Sequence, residues 1–579
     1  MEPPRTFGQM TGWSRRDLVS LLAAAVLLGF VIRLSGLERI GLAEDEVNKI
    51  VSVRQYQQGE FTGNAEHPML MKGLILVSVS LADEWNRRCA EIPGCGPVSE
   101  EVAVRLPNVL VGALTAIPLF LLGSFFFSRR VGLLAAFLWA TGVHAVFINR
   151  VAKEDTLLVF FLLWGLYFHG RMKTTADQAA RPKRIFHLLS AACFGLLLAS
   201  KYFPHIAGVP LLFYFLHRKY NPSQYPPDRY GRRDLVLYLA VMAGAFLLAN
   251  PMVLHPTVLA YIFSYTGQTT VTHHGYIFAG QLFPNSITLT PFGGTPWYFY
   301  LLALVVKLPF LVLAAFLAGL AACLRRWRER GAFFILFWLV FWLVPYSIVG
   351  VKFLRYSLSL MPAVYLAAAY GAFAVHEWLG VRLHRAAPPF VRWATGAAAA
   401  ILVILVSLSA LISSYPYYST YVNALGGGTK RIAYYFPHDE CYDLELREAL
   451  AGTLRHAPPG SVVAGETPAI FRYYLGRHHR PDIRVVNLSD KRFAIPVTSP
   501  VFVFLQPGRI YYENVTFHSR LWNSGLDELD ARVRERPVVR VFRLHGSEFQ
   551  QISAMRQTPP LRRQVPQAMY FLMAGKDGF

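Results

Sequence analysis

The sequence predicts a polytopic α-helical membrane protein that ends in a smaller α/β domain. Three observations carry that prediction. Of 579 residues, 54% are hydrophobic and only 16% are charged, against roughly 25% in soluble domains. Apolar runs near the ~20 residues a helix needs to cross hydrocarbon recur as far as residue 412. The stretch 413–579 then returns to ordinary polarity. Length alone would suggest about four soluble domains, but 42 Phe, 29 Tyr and 11 Trp suit a chain with much of its surface in lipid.

Taken in order, the apolar runs are 17–36, 103–127, 131–148, 156–171, 186–200, 203–217, 234–250, 297–323, 332–349, 353–379 and 394–412, about eleven crossings. The first lacks a cleavage-site pattern and reads as an uncleaved helix. The stretch 69–82 is apolar but short, and reads as an interfacial or re-entrant helix. If each run crosses once from a cytoplasmic N-terminus, the clusters at Arg15–Arg16, Arg129–Arg130, Arg171 to Arg184, Arg218 to Arg233, Arg325 to Arg330 and Arg382 to Arg392 share the inner side. The formal charge of +22 is therefore mainly topological, and a nucleic-acid partner loses its main support.

The opposite side receives a first external loop, 37–102, a long external loop, 251–296, and tight turns near Asn149–Asp155, Lys201 and Lys352. These extend a membrane domain of 1–412. In 413–579 the runs Ser461–Gly465, Ile483–Leu488, Val501–Leu505 and Val538–Phe542 read as strands, and Asp443–Leu454 and Leu526–Val533 as helices. Alternation of that kind predicts an extracytoplasmic α/β domain. Gly426–Gly428 reads as a turn, since no strand-to-helix phosphate-loop pattern surrounds it. Five Cys argue against a disulfide scaffold; Cys89 and Cys95 flank a turn and are placed to bridge if it faces an oxidising compartment.

Three groups of residues exceed what composition explains. Glu44-Asp45-Glu46 follows the first span directly. Arg150, Lys153, Glu154 and Asp155 crowd a tight junction between two spans, where charges face protein or water. Lys201, His273, His274, Lys352 and Arg355 place cations on the external side, against the trend of the other clusters. Each has a plainer reading taken alone: a solvated acidic turn, interfacial ion pairs such as Arg150 with Glu154, or snorkelling cations. Glu154 and Asp155 cannot both aim at one point, because consecutive helical residues diverge by about 100°. Together, carboxylates on some turns and cations on others suit transfer of a sugar from a lipid phosphate. Cations stabilise the anionic leaving group, and a carboxylate takes the proton from the attacking hydroxyl.

At these residues the chain resembles the GT-C superfamily of membrane glycosyltransferases. Within it, the resemblance is to the dolichyl- or polyprenyl-phosphate-mannose protein mannosyltransferase-like family, which includes the lipid A aminoarabinose transferases. The motifs follow in order: Asp45-Glu46; Glu66-His67-Pro68; Arg105-Leu106-Pro107; Arg150 to Asp155; His273-His274-Gly275-Tyr276 with Gly294 to Tyr300 and Lys307; Arg355-Tyr356 with Pro362; and Tyr415 to Tyr418 leading to Asn423. The resemblance implies an inverting transferase with an external active site. It would take a polyprenyl-phosphate sugar donor and a lipid, glycan or protein acceptor.

By the same carry-over, Asp45 is the base, Glu46 positions the acceptor or base, and Asp155 or Glu154 is the second acid. Arg105, Lys201, His273, His274 and Arg355 are candidates for the phosphate. Glu44 precedes the acidic pair and can shift its register by one, and a protein acceptor is not implied by the α/β C-terminus. Some relatives bind a divalent metal through acids and a histidine; no dense ligand spacing appears here, so no cofactor is assigned. The competing class is a secondary transporter or flippase of a lipid-linked anion, with the acids as coupling sites. The Ala-, Arg- and Pro-rich composition points to a bacterial inner membrane.

Overall fold

The computed structural model describes residues 14–175, 180–221, 231–267, 275–285, 294–383, 389–489, 498–554 and 569–570. Its first half is helical: α1 (Arg15–Leu34), α2 (Glu44–Gln57), α3 (Met69–Cys89), α4 (Glu100–Leu114), α5 (Ala116–Phe126), α6 (Arg129–Thr141), α7 (Val143–Asn149), α8 (Glu154–Thr174), α9 (Ala180–Ser200), α10 (Val209–Tyr220), α11 (Arg232–Ala249) and α12 (Pro256–Gly267). A hairpin of β1 (Tyr276–Phe278) and β2 (Gln281–Phe283) precedes α13 (Phe299–Lys307), α14 (Phe310–Arg325), α15 (Arg330–Ile348), the 3₁₀ segment Leu354–Leu360, α16 (Met361–Leu383) and α17 (Pro389–Ser414).

Among the described residues, six helices are long and apolar enough to cross a membrane, or seven if the pair α6–α7, bent by 58°, counts as one. The chain is an integral membrane protein. Several runs seen in the sequence are interrupted. The run 297–323 breaks at Leu308-Pro309, where proline lacks the N–H that would continue the helix; Asn423 Nδ2 satisfies the freed carbonyls of Val305 (2.6 Å) and Leu308 (2.7 Å). The short run at 69 extends to Cys89 as a helix of 21 residues. It ends at a disulfide between Cys89 and Cys95.

Small residues set the closest helix crossings, as membrane packing favours. A Cβ added to Gly319 of α14 would lie 1.8 Å from the Ala367 carbonyl oxygen of α16, and one on Gly371 would lie 2.1 Å from that of Ala315. Gly123 of α5 and Gly132 of α6 meet in the same way.

After α17 the chain makes the short α18 (Pro437–Glu440) and α19 (Leu446–Leu454), then β3 (Val462–Gly465), α20 (Pro468–Arg477), β4 (Arg484–Asn487), β5 (Pro500–Leu505), α21 (Val515–Trp522), β6 (Leu529–Val533), β7 (Arg536–His545) and α22 (Gly546–Ser553). The sheet order is β4-β3-β5-β7-β6. Strand β3 runs parallel to β4 and β5, and β7 runs antiparallel to β5 and β6. Alternation divides the sheet faces. Val501, Val503 and Leu505 pack with Phe517, Leu521 and Trp522. Phe502 and Phe504 pack in a second core, which also holds Val47 and Ile50 of α2 and Met71 and Ile75 of α3. The sheet thus shares its interior with the first external segment.

One expectation is corrected. Leu526–Val533 reads as helical in the sequence, but Leu529–Val533 forms strand β6. Pairing with β7 along the sheet edge overrides a short local pattern.

Candidate active site

The site begins where α1 ends. After Leu34 the chain turns at Gly36 and enters α2 at Ala43, whose side chain offers no cap. Glu46 reaches back along the first turn, and its Oε2 accepts from the Ala43 amide at 3.0 Å. All three acids occupy the first turn of α2, where the helix dipole favours negative charge.

Their surroundings differ. Glu46 is fully buried. It receives Arg105 Nε at 2.9 Å and Nη2 at 2.6 Å, and the Ala152 amide at 2.8 Å. The other Arg105 N–H groups go to the carbonyls of Leu37 (3.0 Å), Ile40 (2.7 Å) and Gly41 (2.7 Å). All five guanidinium donors are thus occupied within the fold. Burial works to raise the Glu46 carboxyl, but Arg105 and the two amides hold it below the usual range.

Asp45, one residue earlier, points elsewhere. Its side chain is 28% exposed, against 0% for Glu46, 2% for Glu154 and 10% for Asp155. Its Oδ2 is contacted by the Lys153 ammonium and by the Tyr442 hydroxyl. Partial burial works to raise the Asp45 carboxyl, yet Lys153, Arg355 and Lys49 hold it well below the ordinary carboxylate range. It is ionised at neutral pH.

The turn after α7 is held by Asn108 of α4, whose amide donates to the carbonyl of Lys153 at 2.8 Å and also to that of Val151. Glu154 and Asp155 then open α8 and diverge as helix geometry requires. Glu154 meets Lys49 of α2 at 3.0 Å and lies 4.0 Å from His67 Nδ1. Asp155 meets Lys201, at the end of α9, at 2.8 Å. Burial, with Lys49 and Lys153 adding to it, pushes the His67 imidazole down to about 4, so it is neutral at pH 7. Arg150 does not pair with Glu154. It donates to the carbonyls of Ser35 (2.8 Å) and Gly36 (3.1 Å) and lies over the Tyr418 ring at 4.7 Å.

Among the cations, Lys352 is buried and bonds the carbonyls of Thr295 and Val349. Arg355 differs. It lies over the Phe353 ring at 4.3 Å, and its charge acts on Asp45 and Asp155 together. Among the described residues no carboxylate lies within ion-pairing distance of it. Lys201 lies over Tyr356, the residue beside Arg355, at 4.6 Å. His273 and His274 fall outside the described residues.

Sequence reasoning missed several participants. Lys49 lies beyond the acidic motif, and Lys153 sits inside the Arg150 to Asp155 stretch without a role. Tyr442, and Arg509 with its bonds to Asp443 (2.7 Å) and Glu44 (3.0 Å), come from the C-terminal half; no local signal ties them to α2. A small cleft against Glu46, not lined by Asp45, is bordered by Arg105, Phe147, Arg150, Tyr418 and Tyr442, among others. Among the described residues, no group of three or more His, Cys, Asp or Glu side chains is arranged to hold a metal ion.

Residues 98–226 match the family model for dolichyl-phosphate-mannose-protein mannosyltransferase; the resemblance drawn from the motifs holds on that segment, which includes Arg105, the 150–155 turn and Lys201. No curated protein matches. Among solved structures, ArnT from Cupriavidus metallidurans bound to undecaprenyl phosphate is 16% identical, with 91% of this chain and 98% of that chain covered at a TM-score of 0.49. The oligosaccharyltransferase AglB from Archaeoglobus fulgidus is 13% identical over 83% of this chain and 61% of its own, at 0.46. The Pmt1-Pmt2 protein O-mannosyltransferase of S. cerevisiae is 17% identical over 47% and 40%, at 0.32.

Proposed function

We propose that the chain is an inverting glycosyltransferase that moves a sugar from a polyprenyl-phosphate donor to a hydroxyl acceptor on the extracytoplasmic side of the membrane. In this reading residues 1–412 form the catalytic membrane domain with about eleven crossings, the N-terminus is cytoplasmic, and 413–579 is an extracytoplasmic domain. The activity is of the hexosyl- or mannosyltransferase kind, and the membrane is a bacterial inner membrane.

The observation that carries the proposal is Arg355. It is a cation without a carboxylate ion-pair partner among the described residues, its charge acting on Asp45 and Asp155 from separate elements, with Lys201 beside it. That arrangement suits a phosphate ester whose bridging oxygen gains charge as its bond to the sugar breaks. The acceptor oxygen bonds to the anomeric carbon while the carbon–oxygen bond to phosphate breaks. The electron pair leaves with the phosphate, which Arg355 and Lys201 stabilise, and the acceptor proton passes to Asp45. A single displacement inverts the anomeric centre. Asp155 orients Lys201. His273 and His274 remain candidates for the phosphate from the sequence motif. Glu46, Arg105 and Glu154 act at one remove, fixing α2 against α4 and α8.

The test uses purified protein in liposomes, a radiolabelled polyprenyl-phosphate hexose and a cell-envelope extract as acceptor source. Label is expected to leave the phospholipid donor, and Asp45→Asn to slow that loss by about a hundredfold or more. Movement of label across the bilayer with the glycosyl phosphate intact would make the protein a transporter instead.

A further inference from the structure

The C-terminal half contributes a side chain to the centre of this site. Between α17 and α19 the chain runs through Pro437–Asp443, and nearly every polar residue of that stretch is anchored. Asp439 accepts from the Tyr276 hydroxyl of β1. Glu440 pairs with Lys307 of α13 at 2.6 Å and accepts from the Ala433 amide at 2.7 Å. Asp443 takes Arg509 in a bidentate contact, and its Oδ2 also accepts the Glu44 amide at 3.0 Å. His438 bonds the Gly508 carbonyl at 3.0 Å. The strap is tied on four sides, and Tyr442 projects from it onto Asp45.

The two oxygens of Asp45 are not equivalent. Lys153 and Tyr442 both meet Oδ2. Oδ1 has no hydrogen-bond partner among the described residues, on a side chain that is 28% exposed. A carboxylate anchored through one oxygen presents the lone pairs of the other in a fixed direction.

We propose that Tyr442 is a positioning residue for the base. Its hydroxyl, with the Lys153 ammonium, pins Oδ2 so that Oδ1 receives the acceptor proton, and the rigid strap makes the C-terminal half a working part of the site. This rests on the transferase reading with Asp45 as base. Asp45 is faced by Lys49 and Glu44 from its own helix, His67 from the segment before α3, Lys153 from the turn before α8, Arg355 from the 3₁₀ segment, and Tyr442 from the strap. Removing the Tyr442 hydroxyl alters one of these and leaves the charges in place.

The experiment measures kcat, donor KM and the pH profile of kcat for the full-length protein, Asp45→Asn, Tyr442→Phe and Tyr442→Ala. Tyr442→Phe keeps the ring and is expected to lower kcat about tenfold, the loss of one hydrogen bond to a charged group, with donor KM and melting temperature within error of wild type. Its acid limb moves to higher pH, because the ionised carboxylate has lost a donor. Tyr442→Ala, which also removes the ring, lowers the melting temperature as well. If Asp45→Asn is inactive and Tyr442→Phe matches wild type in kcat and acid limb, the positioning role is wrong while the transferase stands. If Tyr442→Phe loses activity only in step with melting temperature, Tyr442 is structural and the proposal also falls. If Asp45→Asn remains active, the transferase reading with this base fails first.

Discussion

Replacing Arg105 separates two jobs that sequence motif and geometry assign to the same residue. As a phosphate ligand, Arg105 would govern donor affinity. In the structure its five N–H groups meet the Glu46 carboxylate twice and three carbonyls of the Leu37–Gly41 turn. Arg105→Met removes the guanidinium but keeps a long apolar stem. It leaves the Glu46 carboxylate, fully buried, with only the Ala43 and Ala152 amides. Breaking one partner of a buried pair costs about 3–5 kcal/mol, a large share of the ~5–15 kcal/mol that ordinarily separates folded from unfolded protein.

Arg105→Lys does not rescue, because three ammonium donors cannot replace a planar fork of five. The double change Glu46→Met with Arg105→Met removes the uncompensated charge and is expected to restore part of the melting temperature, though not the orientation of Asp45 and hence not the rate. Melting in detergent and donor KM are measured side by side. A variant that melts with wild type while donor KM rises tenfold or more would show that Arg105 binds phosphate and that its contacts within the fold are incidental.

Other consequences can be measured separately. Burial, with Arg355 adding to it and Asp45 opposing, brings the Lys153 ammonium down to about 8. The charge is present below that value and lost above it, so turnover is expected to fall as pH rises through about 8. Lys153→Arg, which stays charged, should move that limb upward; an unchanged limb would exclude Lys153 as its source. Gly371→Val places methyls against the α14 backbone and is expected to destabilise by about 1–3 kcal/mol, read as a lower melting temperature at unchanged donor KM; an unaltered melting temperature would contradict the close crossing. Thiol labelling of unfolded, unreduced protein should miss Cys89 and Cys95 and capture both after reduction; labelling before reduction would contradict the bridge.

Much of this protein was legible in its composition and periodicity. Lipid demands that backbone groups be paired within a helix, so apolar runs of sufficient length announce spans without any knowledge of neighbours. Charge at span ends is costly enough that Glu44 to Glu46, Arg150 to Asp155, Lys201 and Arg355 stand out by position alone. The central strands of the C-terminal sheet, β3 and β5, were visible as apolar runs because their side chains are almost all buried. Leu526–Val533 was misread because an edge strand owes its state to β7, not to its own spacing.

Partners were not legible. The sequence, through its family resemblance, gave Asp45 and Glu46 adjoining roles and grouped Arg105 with Lys201 and Arg355 as candidates for the phosphate. Tertiary structure separates them, because neighbouring positions on a helix turn about 100° apart: Glu46 faces into α4 and meets Arg105, while Asp45 faces Lys153 and Tyr442. Tyr442 lies 397 residues from Asp45 along the chain, and no local pattern encodes a contact made by folding the C-terminal half back onto the first external helix. Hydrophobic periodicity is a property of each segment and survives in the linear sequence; which carboxylate is neutralised and which stays reactive depends on the atoms brought against it, and only the fold assembles those.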